Sequence, residues 1–349
     1  MKLLVSALEH SANIHFGYLV KELGDEIELS GIFDASLGES IVDLRATSVM
    51  GFVDALKKLP FFFRLKNTMV ELAGAADKVL LIDSSGFNLP LARAIRKRYP
   101  DKEIIYYILP QAWAWKKKRI PILEQTITKL ASILPFEPSY YSKNAPIEYV
   151  GHPLLDEITI QKNNLLPTGK ITFMPGSRPG EIKRLMGAFR EVRGMLTCRA
   201  LLVIPSHFTP EQIRELYGDI SAFEITHEAH RSLADSDFAF ICSGTATLEA
   251  ALIGTPFILA YIAKPLDYAI AKRLVKLNYV GLGNILFSHK YHRPLHPEFL
   301  QNEVNGQNLY NTYLQMDKEA FFQDAKRLRD LLGHGSAKRV STLIKEEHD

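Results

Sequence analysis

The chain has 349 residues, more than one hydrophobic core readily serves, so two domains of ordinary size are expected. Its 47% hydrophobic and 23% charged residues are the composition of a globular protein and exclude a disordered or fibrous chain. A formal net charge of +3 makes no case for nucleic acid, so local clusters have to point to the partner.

The N-terminus MKLLVSALEH carries one Lys and a short apolar run with no cleavage signature, and reads as a first strand. Further apolar runs at 28–34, 78–83, 103–108, 129–135 and 147–150 alternate with segments of helical period. That alternation is the mark of βαβ units and a parallel sheet. A stretch rich in Pro, Gly and Asn at 151–168 reads as a linker, and a second series of runs follows at 170–176, 200–205, 222–226, 237–244 and 256–261. Two doubly wound α/β domains are expected, 1–157 and 158–324, with C-terminal helices that pack back on the first from about 325 to 349. Ligands of open parallel sheets bind beyond the carboxyl ends of the strands, and two such sheets facing each other leave a cleft.

No stretch approaches the roughly 20 apolar residues needed to span a bilayer, so membrane contact is expected to be peripheral. The two cysteines, Cys198 and Cys242, sit inside apolar runs without metal-like spacing, which fits a reducing cytoplasm. No histidine pair has convincing ligand spacing, and no bound metal is expected. The chain lacks a G-x-G-x-x-G after its first strand and a Walker-type loop, which argues against hydride transfer and ATP hydrolysis.

In the first half, LPFFFRLKN at 59–67 sets Phe61, Phe62 and Phe63 between cations. ILPQAWAWKKKRIPILEQ at 108–125 brings Trp113 and Trp115 beside Lys116, Lys117, Lys118 and Arg119. Aromatic rings with basic neighbours suit a membrane interface or a phosphorylated lipid; a solvated basic turn over ordinary core aromatics is the equal alternative. LIDSSGFNLPLA at 81–92 puts Asp83 at the end of a buried strand, placed either to take the proton of an attacking sugar hydroxyl or to cap the next helix. Asn88 is read either as a cap or as a sugar contact.

In the second half, CSGTATLEAAL at 242–252 ends a buried strand in Ser243 and Gly244 and opens a helix at Thr245. A helix N-terminus offers free N–H groups to a diphosphate, and Glu249, one turn on, is in reach of a ribose diol; the alternative is a plain N-cap and a solvated carboxylate. MPGSRPGEI at 174–182 repeats the pattern with Gly176, Ser177 and a permanent cation, Arg178, set either against a pyrophosphate leaving group or against Glu181.

These motifs, with SVMGFVDAL at 48–56, LPFEP at 134–138, VGHPLLD at 150–156 and AKRLVKLNYVGLGNIL at 271–286, make the chain resemble the lipid-A-disaccharide synthases along nearly its whole length. The resemblance implies the GT-B architecture, two Rossmann-like domains with a cleft. It implies an inverting, metal-independent transfer of 2,3-diacylglucosamine from UDP-2,3-diacylglucosamine to lipid X, giving the β-(1→6) lipid A disaccharide 1-phosphate of lipopolysaccharide synthesis, and UDP. No cofactor is implied, because UDP leaves with the donor. Asp83 and Arg178 take the places of the family's essential residues. Gly176, Ser177, Arg178, Ser243, Gly244, Thr245, Ala246, Glu249 and Asn284 are expected around UDP. Glu9, Ser11, Met50, Asn88, Phe61, Phe62, Phe63, Trp113, Trp115, Lys116 and Arg119 are expected on the acceptor and lipid side. Family members work in the cytoplasm, peripherally on the inner membrane, and often as homodimers.

The chain departs from the family at LEHSAN, 8–13, where the usual GEASGD loop keeps only Glu9 and Ser11. Ser85, Gly86 and Ile262 also replace common family residues. Two other classes stay open beside the synthase. One is an epimerase of UDP-N-acetylglucosamine with the same two-domain shape, and the other is a non-catalytic lipid- or nucleotide-binding protein.

Overall fold

The computed structural model describes residues 1–42, 52–264, 268 and 278–346. The chain divides into two compact units, Met1–Glu157 with Leu332–Asp349, and Ile158–Leu331.

The first unit holds strands β1 (Lys2–Ser6), β2 (Glu28–Ile32), β3 (Lys78–Ile82), β4 (Glu103–Tyr107), β5 (Lys129–Ser132) and β6 (Ile147–Tyr149). All pair in parallel, in the order β2-β1-β3-β4-β5-β6. KVLLI of β3 and EIIYY of β4 are buried along their whole length, as expected of central strands covered on both faces. Alternate residues supply the two cores. Val79, Leu81, Ile104 and Tyr106 pack with residues of the helices Phe52–Ala75 and Ser85–Arg98. Leu80, Ile82, Ile105 and Tyr107 pack with those of His10–Leu23 and the C-terminal helix Ser336–Lys345. Asp156 fastens that last helix, its carboxylate accepting from the N–H groups of Gly335 at 2.7 Å and Ala337 at 3.0 Å. A carboxylate on the free amides of a helix start is favourable in both hydrogen bonding and charge.

The second unit holds β7 (Lys170–Met174), β8 (Arg199–Val203), β9 (Glu224–Thr226), β10 (Phe238–Cys242), β11 (Phe257–Tyr261) and β12 (Glu298–Leu300). The order is β12-β11-β10-β7-β8-β9, again wholly parallel. Its core is aromatic, with Phe173 of β7 stacked on Phe240 of β10 at 5.1 Å between centroids and edge-on to Phe189 and Phe223. The edge strand β12 was not among the expected runs, being only three half-buried residues.

Each sheet reverses its strand order once, between β1 and β3 in the first unit and between β7 and β10 in the second. Loops at the carboxyl ends of strands flanking such a reversal splay apart and leave a crevice. The loops after β1 and β3, and those after β7 and β10, stand at these two reversals. Among the described residues, no helix is long and apolar enough to cross a membrane.

Candidate active site

In the second unit, β7 and β10 each run through a short loop into a helix, Pro179–Met195 and Thr245–Ile253. The N-cap positions are Arg178 and Gly244, and neither makes a side-chain cap hydrogen bond. Ser243 and Thr245 therefore do not act as caps, and the first amides of the Thr245–Ile253 helix, with that of Gly180 behind the N–H-less Pro179, remain available to an anion. Gly176 has φ +103° and Gly244 φ +154°, values that L side chains rarely adopt. A Cβ on Gly176 would also stand 2.9 Å from Glu181 Oε2 and 3.2 Å from Cys242 Sγ.

Between these loops lies a cavity of about 530 Å³, lined by Gly176, Ser177, Arg178, Ser243, Gly244, Thr245, Ala246 and Glu249 among others. Its volume falls in the range of small-ligand sites. Arg178 is 81% exposed and donates through Nη1 to Glu181 Oε1 at 3.1 Å, so the cation is both paired and presented to the cavity. Glu249, one turn into its helix, pairs with His230 Nε2 at 3.2 Å. Beneath them, burial and the nearby Glu181 push the Cys242 thiol up to about 12, which keeps it neutral.

The structure does not bring Asn284 to this cavity. Its side chain is fully buried, donating to the carbonyl of His296 at 2.9 Å and to Glu298 Oε1 at 2.8 Å, and accepting from the N–H groups of Leu295 at 2.7 Å and His296 at 3.0 Å. With its amide saturated, Asn284 ties the helix Leu282–Tyr291 to the segment entering β12. Conversely, His227 lines the cavity and was not picked out by sequence. Its signal was only its position one residue beyond the end of β9.

In the first unit, Asp83 and Ser84 both take left-handed backbone, φ 50° and 44°, directly after β3. That conformation is costly without glycine and has to be held by its surroundings. The Asp83 carbonyl accepts from the Tyr106 hydroxyl at 2.7 Å and from Asn88 Nδ2 at 2.9 Å, while its N–H donates to the Tyr107 carbonyl at 3.0 Å. The N-cap of the following helix is Ser84, so the Asp83 carboxylate is not spent as a cap. Burial, then the neighbouring Glu9, raise its pKa, partly offset by the Ser84 N–H and His15. Glu9 accepts from Ser84 Oγ at 3.3 Å, joining the loops after β1 and β3. Ser11 is half-buried in the first turn of His10–Leu23. Asn13, at the end of LEHSAN, clasps the loop by donating to the carbonyls of Ala7 and Glu9, each at 2.8 Å.

Two expected contacts prove structural. Asn88 is fully buried, accepting from Ser6 Oγ at 2.6 Å and donating to the carbonyls of Ile82 and Asp83, which leaves nothing for a sugar. Trp113 is 5% exposed and packs edge-on against Phe136 at 4.9 Å, so it belongs to the interior and not to a lipid-facing surface. Phe61 and Phe62 are half-buried and Phe63 is exposed, with Lys66 Nζ 4.5 Å from the Phe63 ring centroid. Leu59, Phe62, Phe63, Phe87 and Pro90 shape an open apolar groove of about 670 Å³ with Arg64 and Lys66 on its border. Lys116 is half-buried, and Arg119 donates to Ser85 Oγ at 3.2 Å, beside Asp83. Met50 and the side chain of Trp115 lie outside the described residues.

Residues 3–338 match the family model described as lipid-A-disaccharide synthetase. The chain belongs to the lipid-A-disaccharide synthetase family. A lipid-A-disaccharide synthase of Helicobacter pylori (strain G27) is 46% identical over 352 residues, covering 97% of this chain and 96% of that one. Among solved structures, the glycotransferase of kitacinnamycin superposes with a TM-score of 0.64 at 14% identity, over 99% of this chain and 98% of its own. The UDP-GlcNAc 2-epimerase of Neisseria meningitidis, bound to UDP-GlcNAc, gives 0.57 at 13% identity over 99% and 100%. At such identities the structures speak for the shared GT-B fold alone, while the family makes this chain a glycosyltransferase.

Proposed function

We infer that the chain is a lipid-A-disaccharide synthase, which moves 2,3-diacylglucosamine from UDP-2,3-diacylglucosamine to lipid X and releases UDP. The observation that carries the donor half is the pair of uncapped helix N-termini at the β7–β10 reversal, opening on one cavity with Arg178. Backbone amides and a guanidinium supply the countercharge that a departing diphosphate needs, so the transfer is proposed to run without a metal or a cofactor. Glu249 would take the ribose hydroxyls of the donor.

The acceptor's 6-hydroxyl attacks the anomeric carbon as the bond to the UDP oxygen breaks, inverting an α-linked donor to a β product. Asp83 takes the hydroxyl proton. Its raised pKa suits that task, because a carboxylate too weakly basic would be a poor acceptor at neutral pH. Glu9 and Arg119, bonded to Ser84 and Ser85 next to Asp83, are proposed to orient the acceptor sugar and its phosphate. The apolar groove with its cationic border suits acyl chains and anionic headgroups, which supports the reading of a peripheral enzyme on the cytoplasmic face of the inner membrane. A homodimer rests on the family habit alone, and light scattering of the purified protein reads it directly.

The test supplies purified protein with UDP-2,3-diacylglucosamine and lipid X in the presence of a chelator. Disaccharide 1-phosphate and UDP should appear in equal amounts by mass spectrometry; an epimerised nucleotide sugar, or binding without turnover, would contradict the reading. For the surface, Phe63→Glu should reduce sedimentation with anionic liposomes, whereas unchanged sedimentation would remove the groove from the account.

A further inference from the structure

The donor cavity extends beyond the phosphate loops to the ends of β8 and β9, where Val203 and Pro205 form an apolar side and His227 stands beside them. His227 Nδ1 lies 2.7 Å from the carbonyl oxygen of Ile204. A carbonyl oxygen can only accept, so Nδ1 carries the proton and Nε2 of the neutral ring is left as an acceptor. The same bond fixes the ring on the cavity wall. At about 4.8 Å per strand, β9 lies roughly 12 Å from the middle of the β7–β10 gap, the reach of a nucleoside from its 5′ phosphate. An apolar surface with one fixed acceptor at its edge matches a flat heteroaromatic ring that presents an N–H.

We propose that His227 reads the nucleobase of the donor, its Nε2 accepting from the ring N–H of uracil while Val203 and Pro205 support the ring. This deepens the donor-site reading above and rests on it. His227 is thereby a binding and specificity residue, remote from the bond being broken.

The experiment measures calorimetric affinities of the full chain and of His227→Ala for UDP, N3-methyl-UDP and inorganic pyrophosphate. The native protein should bind N3-methyl-UDP about tenfold more weakly than UDP, the size expected for one well-made hydrogen bond. His227→Ala should bind UDP about tenfold more weakly, no longer separate the two nucleotides, and hold pyrophosphate as before. A variant that binds UDP like the native chain, or still rejects the methylated base, overturns the assignment. A native protein that binds pyrophosphate as tightly as UDP overturns base reading while sparing the phosphate loops. Binding of neither would overturn the donor-site reading itself.

Discussion

Asn88 holds Asp83 from behind: its amide donates to the Asp83 carbonyl at 2.9 Å and to that of Ile82 at 3.1 Å, while its oxygen accepts from Ser6 at 2.6 Å. One buried side chain thus ties the end of β1 to the strained turn that presents the proposed base. Asn88→Ala should cost about 2–3 kcal/mol in urea unfolding, because several buried polar groups lose their partner together. It should also lower kcat while leaving UDP affinity alone; a drop in UDP affinity of equal size would mean that the amide acts elsewhere.

Asp83 itself is kept at a cost. A carboxyl whose folded pKa is raised contributes stability fully below the unfolded value, near 3.9, and loses it as pH rises through the folded value. Ionisation of Asp83 therefore costs its own unit stability. Asp83→Asn should raise the melting temperature at pH 7–8, with the gain shrinking in acid, and reduce turnover by about 10²–10⁴-fold. A less stable variant at neutral pH, or near-normal turnover, would contradict this.

A second buried acid makes a cleaner pH probe. Glu137 is 1% exposed and accepts from Ser132 Oγ at 2.5 Å, and burial pushes its pKa from 4.5 up to about 8. Between those values the folded chain holds a proton that the unfolded chain has released, so its contribution falls as pH rises through that window. Denaturation midpoints of Glu137→Gln should match the native protein near pH 5 and exceed it near pH 9. Parallel pH profiles for the two proteins would show that Glu137 is ionised in the fold.

Arg178 and Asn284 should separate binding from architecture. Arg178 is 81% exposed and Asn284 is saturated within the fold. Arg178→Ala should leave stability within about 0.5 kcal/mol and lower kcat by about 10²–10³-fold. Asn284→Ala should cost about 2–3 kcal/mol with UDP affinity unchanged. The reverse pattern, read from unfolding curves and UDP titration, would return Asn284 to the donor site.

These residues also show where sequence stops being legible. The central strands announced themselves as unbroken apolar runs, and Gly176 and Gly244 marked turns whose φ values other residues avoid. The glycine loops after β7 and β10 could be read because their pattern is local to five or six residues. Asn88 and Asn284 could not, since an amide near a strand or helix end looks the same whether it serves a ligand or the fold. Their partners decide it, and these lie 82 positions away for Ser6 and 14 for Glu298. Trp113 misled for a like reason: Lys117 and Lys118 of the nearby basic run are exposed, while the indole turns inward onto Phe136. The three-residue β12 carried too little pattern to be seen before its neighbour β11 was placed.

The most direct measurement is a crystal structure of the chain with UDP. The account predicts the diphosphate against the backbone amides of Thr245 and Ala246, with Arg178 swung onto it from Glu181 and the uracil edge at His227. Phosphates bound away from the β7–β10 reversal, with those amides facing solvent, would contradict it.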